Sequence, residues 1–416
     1  MPPTLTADSL AELNDSRFVR PQKIADSNGV DIAGLLAKAL DQPLDYPPLK
    51  ESVFTGDVVA IALQHDLVRP AEVLNALLDY LLTLNVEPSD ITVVLPGVLT
   101  ETFGISADEC QSKVVDGEDQ PLQPPPIFQL QKEFHSINCQ VHDPENSAGL
   151  SYLCANETGD PIHVNRVLVD ADVVIPVGGP SFDLDPRFQN CVYPTFGSSA
   201  VIARYSDSGS VDSIADCLAE TELANDSLGA FFTIEATAGP GECLSSFVAG
   251  VRQSAAAEAA KEAAKLWTVD CETDFEAAVL SIESQAHKQS WHNFVAALDV
   301  GSRLVAEGAP IVVWSEISTT PGKEIRKACA ARFEETIPDS LPKSMQHLAA
   351  ILKDHPVYLR SKVARGKLED LGLSVIESVE ELKRLTASAK RCVVLRDAHG
   401  CRLAKSKEGQ GGSNVE

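Results

Sequence analysis

Positive charge is scarce in this sequence. Thirty-four Lys and Arg stand against 60 Asp and Glu, a formal charge of −26. No basic stripe interrupts the excess, so the chain lacks the long-range field that draws phosphate backbones or anionic lipid. Nucleic acid and membrane surface are set aside as partners. A small anion can still be held by one local arginine, because a bidentate contact depends on near geometry more than on net charge. The ten cysteines include no C-x-x-C pair and no Cys/His cluster at zinc spacing, which points to buried thiols in a reducing compartment. No apolar run reaches membrane-spanning length, and Met1-Pro2-Pro3-Thr4-Leu5 lacks the basic-then-apolar order of a secretory leader. The expectation is a soluble, cytoplasmic protein. Also missing are Gly-x-Gly-x-x-Gly, the phosphate-loop Gly-Lys-Ser/Thr, Gly-x-Ser-x-Gly and His-Glu-x-x-His. Neither an ordinary nucleotide site nor a serine-hydrolase or zinc-protease centre is indicated.

The chain does have length enough for two cores, at 416 residues. Val58 to Leu63 is an uninterrupted apolar run introduced by Gly56-Asp57, the pattern of a strand buried on both faces. After Pro70, the residues Val73, Leu74, Leu77, Leu78, Leu81 and Leu82 recur at three- and four-residue spacing. That predicts a helix with proline in its first turn. Ile91 to Leu95 closes a strand, helix, strand unit of a parallel sheet. Ligands bind such sheets beyond the carboxyl ends of their strands, where Asp66, Arg69 and Gly97 should lie.

A further buried strand is expected at Val173 to Val177, another strand from Ala230 to Glu235, and a long helix over Gln253 to Trp267. Strands at Phe275 to Ile282, Pro310 to Trp314, Val357 to Leu359, Leu373 to Ile376 and Cys392 to Arg396 alternate with helices, indicating a second parallel sheet. The fold class is therefore α/β, with an N-terminal domain over 1–268, a C-terminal domain over 269–404 and a tail at 405–416 expected to be disordered. Residues 107–149 lose the apolar pattern and read as a surface excursion. Its His135 and His142 fit no common ligand spacing, so they read as exposed loop histidines and no metal site is assigned. At Asp66-Leu67-Val68-Arg69-Pro70 two readings stand: an arginine clamping a carboxylate with Asp66 orienting it, or a loop salt bridge at a helix start.

Val58 to Leu82, the strand at Ile91 and Asn165-Arg166-Val167-x-x-Asp170-Ala171-Asp172-Val173-Val174-Ile175-x-x-Gly178 together resemble the lactate racemase (LarA-like) family. Ala230 to Gly250 and Glu307 to Val312 extend the likeness. The resemblance implies two α/β domains with parallel sheets flanked by helices and a cleft between the domains. It also implies a nickel-pincer nucleotide tethered to a lysine, and two histidines alternating as acid and base on a 2-hydroxy acid. Asp66, Arg69 and Pro70 match the family's Asp-x-x-Arg-Pro, and this arginine would hold the substrate carboxylate. Asn293 keeps an amide of the family's C-terminal Tyr-Gln-x-x-Lys helix, whose lysine is lost. The first catalytic histidine is replaced by Leu99, the nickel-binding one becomes Asp183 and, by an ungapped count, the lysine becomes Tyr193. Leucine cannot transfer a proton, and a missing general base removes a factor of ~10² to 10⁴. Two functions follow: a divergent 2-hydroxy-acid racemase, or a non-catalytic relative that keeps the carboxylate ligand.

Overall fold

Val59–Leu63 is buried at every position. Val59, Ile61 and Leu63 face one apolar core and Ala60 and Ala62 face another, so the strand has no polar face to offer water. The computed structural model describes residues 13, 16–21, 29–64, 67–96, 114–115, 118–119, 137–180, 192–207, 211–283 and 289–404. The chain divides into two units, Asp26–Ala263 and a second made of Met1–Ala25 with Ala264–Glu416.

In the first unit, Val59–Leu63 lies between Ile91–Leu95 on one side and Val173–Gly178 on the other, all parallel. Asn138–Val141 extends one edge in parallel. Thr233–Gly239 continues the other, and Cys243–Gly250 closes it as an antiparallel hairpin arm. Helix Pro70–Thr83 buries Val73, Leu74, Leu77, Leu78 and Leu81, each contributing about 2 kcal/mol by leaving water. Helix Ile32–Asp41 joins the same core and is capped by Asp31, whose side chain accepts from Gly34 N. Gly250 is required where it stands: at φ +135°, a Cβ there would lie 2.1 Å from Leu44 O. Asn138–Val141 falls in the stretch where the apolar pattern fails. A four-residue edge strand with only Cys139 buried leaves too little periodicity to detect.

The second unit is a sheet of six parallel strands in the order Phe18–Val19, Cys392–Leu395, Ala277–Ser281, Ile311–Trp314, Val357–Arg360, Ser374–Val375. The four central strands bury 16 of their 17 residues, which is why their sequences read as apolar runs. Helices Trp291–Leu304 and Lys343–Asp354 supply one core, and Val379–Leu385, capped by Ser378, packs in the other. The two-residue Phe18–Val19 strand was not legible in a polar, proline-marked lead-in. It is held by pairing to Cys392 and Val393. Among the described residues no helix is long and apolar enough to cross a membrane.

Candidate functional site

The strand order of the first unit selects one place in it. Val59–Leu63 comes first in sequence, its successors Ile91–Leu95 and Asn138–Val141 lie to one side, and Val173–Gly178 and Thr233–Gly239 to the other. The order reverses between Val59–Leu63 and Val173–Gly178, and the carboxyl ends flanking such a reversal leave a crevice. Gln64, 4% exposed, ties the two strands there by donating from its N to Val177 O at 2.9 Å.

Arg69 stands at the head of helix Pro70–Thr83 with φ 53° and ψ 51°, a left-handed conformation that costs an L-residue with a Cβ roughly 1–2 kcal/mol. Its carbonyl accepts from Glu72 N and Val73 N, both at 3.1 Å. Its Nε donates to Glu72 Oε1 at 2.7 Å, and Nη2 pairs with Glu72 Oε2. Glu72 therefore orients the guanidinium, and the i,i+3 spacing was the available signal. Asp66, expected in that role, lies outside the described residues, as do Gly97 to Thr100 with Leu99 and Ser181 to Asp183. Nη1 is buried and has no hydrogen-bond partner among the described residues. A guanidinium has five N–H groups; the fork against Glu72 uses one on Nε and one on Nη2. The remainder, two of them on Nη1, could meet a carboxylate end-on.

Asn293 belongs to the second unit, in the first turn of helix Trp291–Leu304, where its N–H donates to the capping Ser290 Oγ at 3.2 Å. That unit has its own reversal, between Ala277–Ser281 and Cys392–Leu395, and its charges are matched internally. Ser281 Oγ donates to Glu283 Oε1 at 2.7 Å, Arg396 Nε to the same carboxylate at 2.6 Å, and Glu283 N to the buried Asp397 at 2.9 Å. Arg69, partly buried, keeps a buried Nη1 that has no hydrogen-bond partner among the described residues.

His163 sits on the hairpin strand Pro161–Asn165, edge-on to Tyr152 at 6.1 Å. His292 is exposed on its helix, and His65 and His287 lie outside the described residues. His142 corrects the expectation of an exposed loop histidine: it is 2% exposed, with Nε2 2.8 Å from Gly197 O and Nδ1 3.3 Å from Asn165 Nδ2. The amide can donate only to an unprotonated Nδ1, which fixes the neutral tautomer that donates from Nε2. Burial pushes the His142 pKa below its usual value, against the opposing pull of Gly197 O and Asp143. The unfolded chain then binds the extra proton, so this share of stability is present above pH ~6.5 and is lost as pH falls below it. Melting temperature should therefore decline between about pH 6.5 and 5 in the native protein. His142→Gln should melt lower throughout but without that slope, as differential scanning calorimetry will show.

Tyr193, the position counted to the family's lysine, is fully buried. Its ring meets Tyr205 edge-on at 5.6 Å and its O–H donates to Glu220 Oε1 at 2.9 Å. A phenol locked into a core does not fit an amine-linked tether. Among the described residues no group of three His, Cys, Asp or Glu could hold a metal ion.

No protein-family model and no curated protein matches the sequence. Solved structures do. The lactate racemase apoprotein from Thermoanaerobacterium thermosaccharolyticum superposes with a TM-score of 0.63 at 15% identity, over 92% of this chain and 97% of that one. The chain has the lactate racemase fold. A structural-genomics target from Thermotoga maritima shares it at TM-score 0.58 and 13% identity, over 92% of this chain and 100% of its own. Identities this low establish the LarA-like architecture of mostly parallel sheets flanked by helices, and the roles of individual side chains rest on the geometry given above.

Proposed function

We propose that this lactate racemase-like chain binds a small carboxylate, a 2-hydroxy acid, at the carboxyl edge of its first sheet, and that it does so without racemising it. The observation that supports binding is Arg69: a strained backbone at the strand reversal, a guanidinium braced by Glu72, and a buried Nη1 without a partner. Strain of this kind persists only where surrounding structure over-determines it, and it clusters at ligand clamps. The helix that starts at Pro70 adds a favourable field for an anion at its N-terminus.

Two features support the absence of turnover. Leu99 stands where the resembled family places its first proton-transferring histidine, and Tyr193 stands where the tether belongs. A nickel-pincer nucleotide, when bound, would accept hydride from the ligand's carbon, and this chain offers no amine at the counted position to hold it. The second reading, a racemase of altered residues, is favoured by the fold alone.

The test is expression alongside the cofactor-building machinery, followed by measurement of bound nickel, cofactor absorbance, lactate racemisation and calorimetric lactate binding. Saturable binding without nickel or turnover is the expected result. Stoichiometric nickel with racemisation would overturn the non-catalytic reading, and absence of binding would overturn the ligand.

A further inference from the structure

Alternation along Thr233–Gly239 places Ile234 and Ala236 in the large core of the first unit. It sends Thr233, Glu235 and Thr237 to the opposite face, where the strands alongside carry Ala60, Ala62 and Val174. Thr233 and Thr237 are fully buried, and Glu235 is 2% exposed. Ser246 of the antiparallel partner lies opposite Thr237. The hydroxyls of Thr233, Thr237 and Ser246 are buried and find no hydrogen-bond partner among the described residues. Buried hydroxyls are ordinarily satisfied, and each exception calls for an explanation. Three on one hairpin face call for a shared one.

Their position suggests it. Glu235 pairs with Gly178, the last residue of its strand, so Thr237 and Ser246 lie beyond the carboxyl ends of the parallel strands, on the side where such sheets take ligands. We propose that this face binds a polyhydroxylated group, a sugar or sugar alcohol. Each protein hydroxyl both donates and accepts, as ligand hydroxyls do, and the carboxylate of Glu235 would accept from one of them. A phosphate or second carboxylate is disfavoured beside a buried acid, and an apolar ligand would leave the three hydroxyls unmatched. Thr233 to Thr237 spans roughly 13 Å of extended chain, the reach of a six-carbon chain with room at either end. The inference stands apart from Arg69, although both sites lie along the same edge of one sheet.

The test uses the full chain, titrated calorimetrically with sorbitol and with gluconate, in the native protein and in Thr237→Val and Arg69→Gln. Valine keeps the shape of threonine and exchanges the hydroxyl for a methyl, so the ligand-free variant should melt no lower than the native protein. Sorbitol and gluconate are both expected to bind saturably, and Thr237→Val to weaken each about tenfold. No saturable binding of sorbitol, or sorbitol binding unchanged in Thr237→Val, overturns the proposal. Gluconate binding that Arg69→Gln abolishes and Thr237→Val leaves untouched also overturns it, while leaving the carboxylate site intact.

Discussion

Replacing Arg69 by glycine is expected to stabilise the protein and to abolish hydroxy-acid binding together. Glycine adopts φ near +53° without the Cβ penalty, so the substitution should recover roughly 1–2 kcal/mol of backbone strain. Against this stands the Arg69–Glu72 pair, whose partner side chain is 53% exposed; exposed i,i+3 pairs contribute only about 0.3–0.5 kcal/mol. Removing a buried Nη1 that has no partner among the described residues adds to the gain. The net should be about 1 kcal/mol, read as a rise in the denaturant midpoint at unchanged slope. Loss of a charge-assisted contact to the ligand should raise the lactate dissociation constant at least ~tenfold to a hundredfold. A variant that gains stability and keeps its ligand would show that the left-handed arginine serves no carboxylate. Proteins commonly retain a locally unfavourable residue where function needs it, and the opposite signs of the two effects distinguish that case from simple damage.

What the sequence disclosed follows from how each feature is encoded. Val59–Leu63 and the strands Ala277–Ser281, Ile311–Trp314 and Cys392–Leu395 are buried on both faces, so each is a continuous apolar run readable without its neighbours. The helix after Pro70 is equally local, written in the spacing of its leucines. Phe18–Val19 and Asn138–Val141 are edge strands of two and four residues, defined by the strand they join and not by a pattern of their own. His142 looked like a loop residue because its burial is created by Gly197 and Asn165, 55 and 23 residues away. At the candidate site, Arg69 was legible from its place after a buried strand; Asp66, the expected brace, lies outside the described residues, and the carboxylate paired with the guanidinium among the described residues is that of Glu72. Glu72 was available at helical spacing. The Thr-x-Glu-x-Thr alternation from Thr233 to Thr237 was also visible, and on its own it reads as a solvent-facing strand edge. Only the packing shows that this polar face is buried.

Tyr193→Lys, which would restore an amine at the counted tether position, is expected to damage the fold instead of recruiting a cofactor. The substitution removes a fully buried ring that packs edge-on against Tyr205, and loss of a buried aromatic costs about 3–5 kcal/mol. It also places an ammonium in that core, where an unpaired charge is costlier still. Glu220, which now accepts from the Tyr193 hydroxyl, could pair with the new amine and offset a part of this. A domain's whole stability is about 5–15 kcal/mol, so the variant should lose a large fraction of it and show a sharply lowered urea midpoint. Tyr193→Phe separates the two contributions: it keeps the ring and leaves Glu220 without that donor, for a cost of about 1–2 kcal/mol. If Tyr193→Lys instead folds with native stability and acquires cofactor absorbance beside the cofactor-building machinery, the core placement of this residue is no barrier to holding a cofactor. The physical expectation is the reverse. Tyr193, Tyr205 and Phe196 are packed in one apolar cluster, so accommodating an amine at position 193 would take rebuilding that cluster.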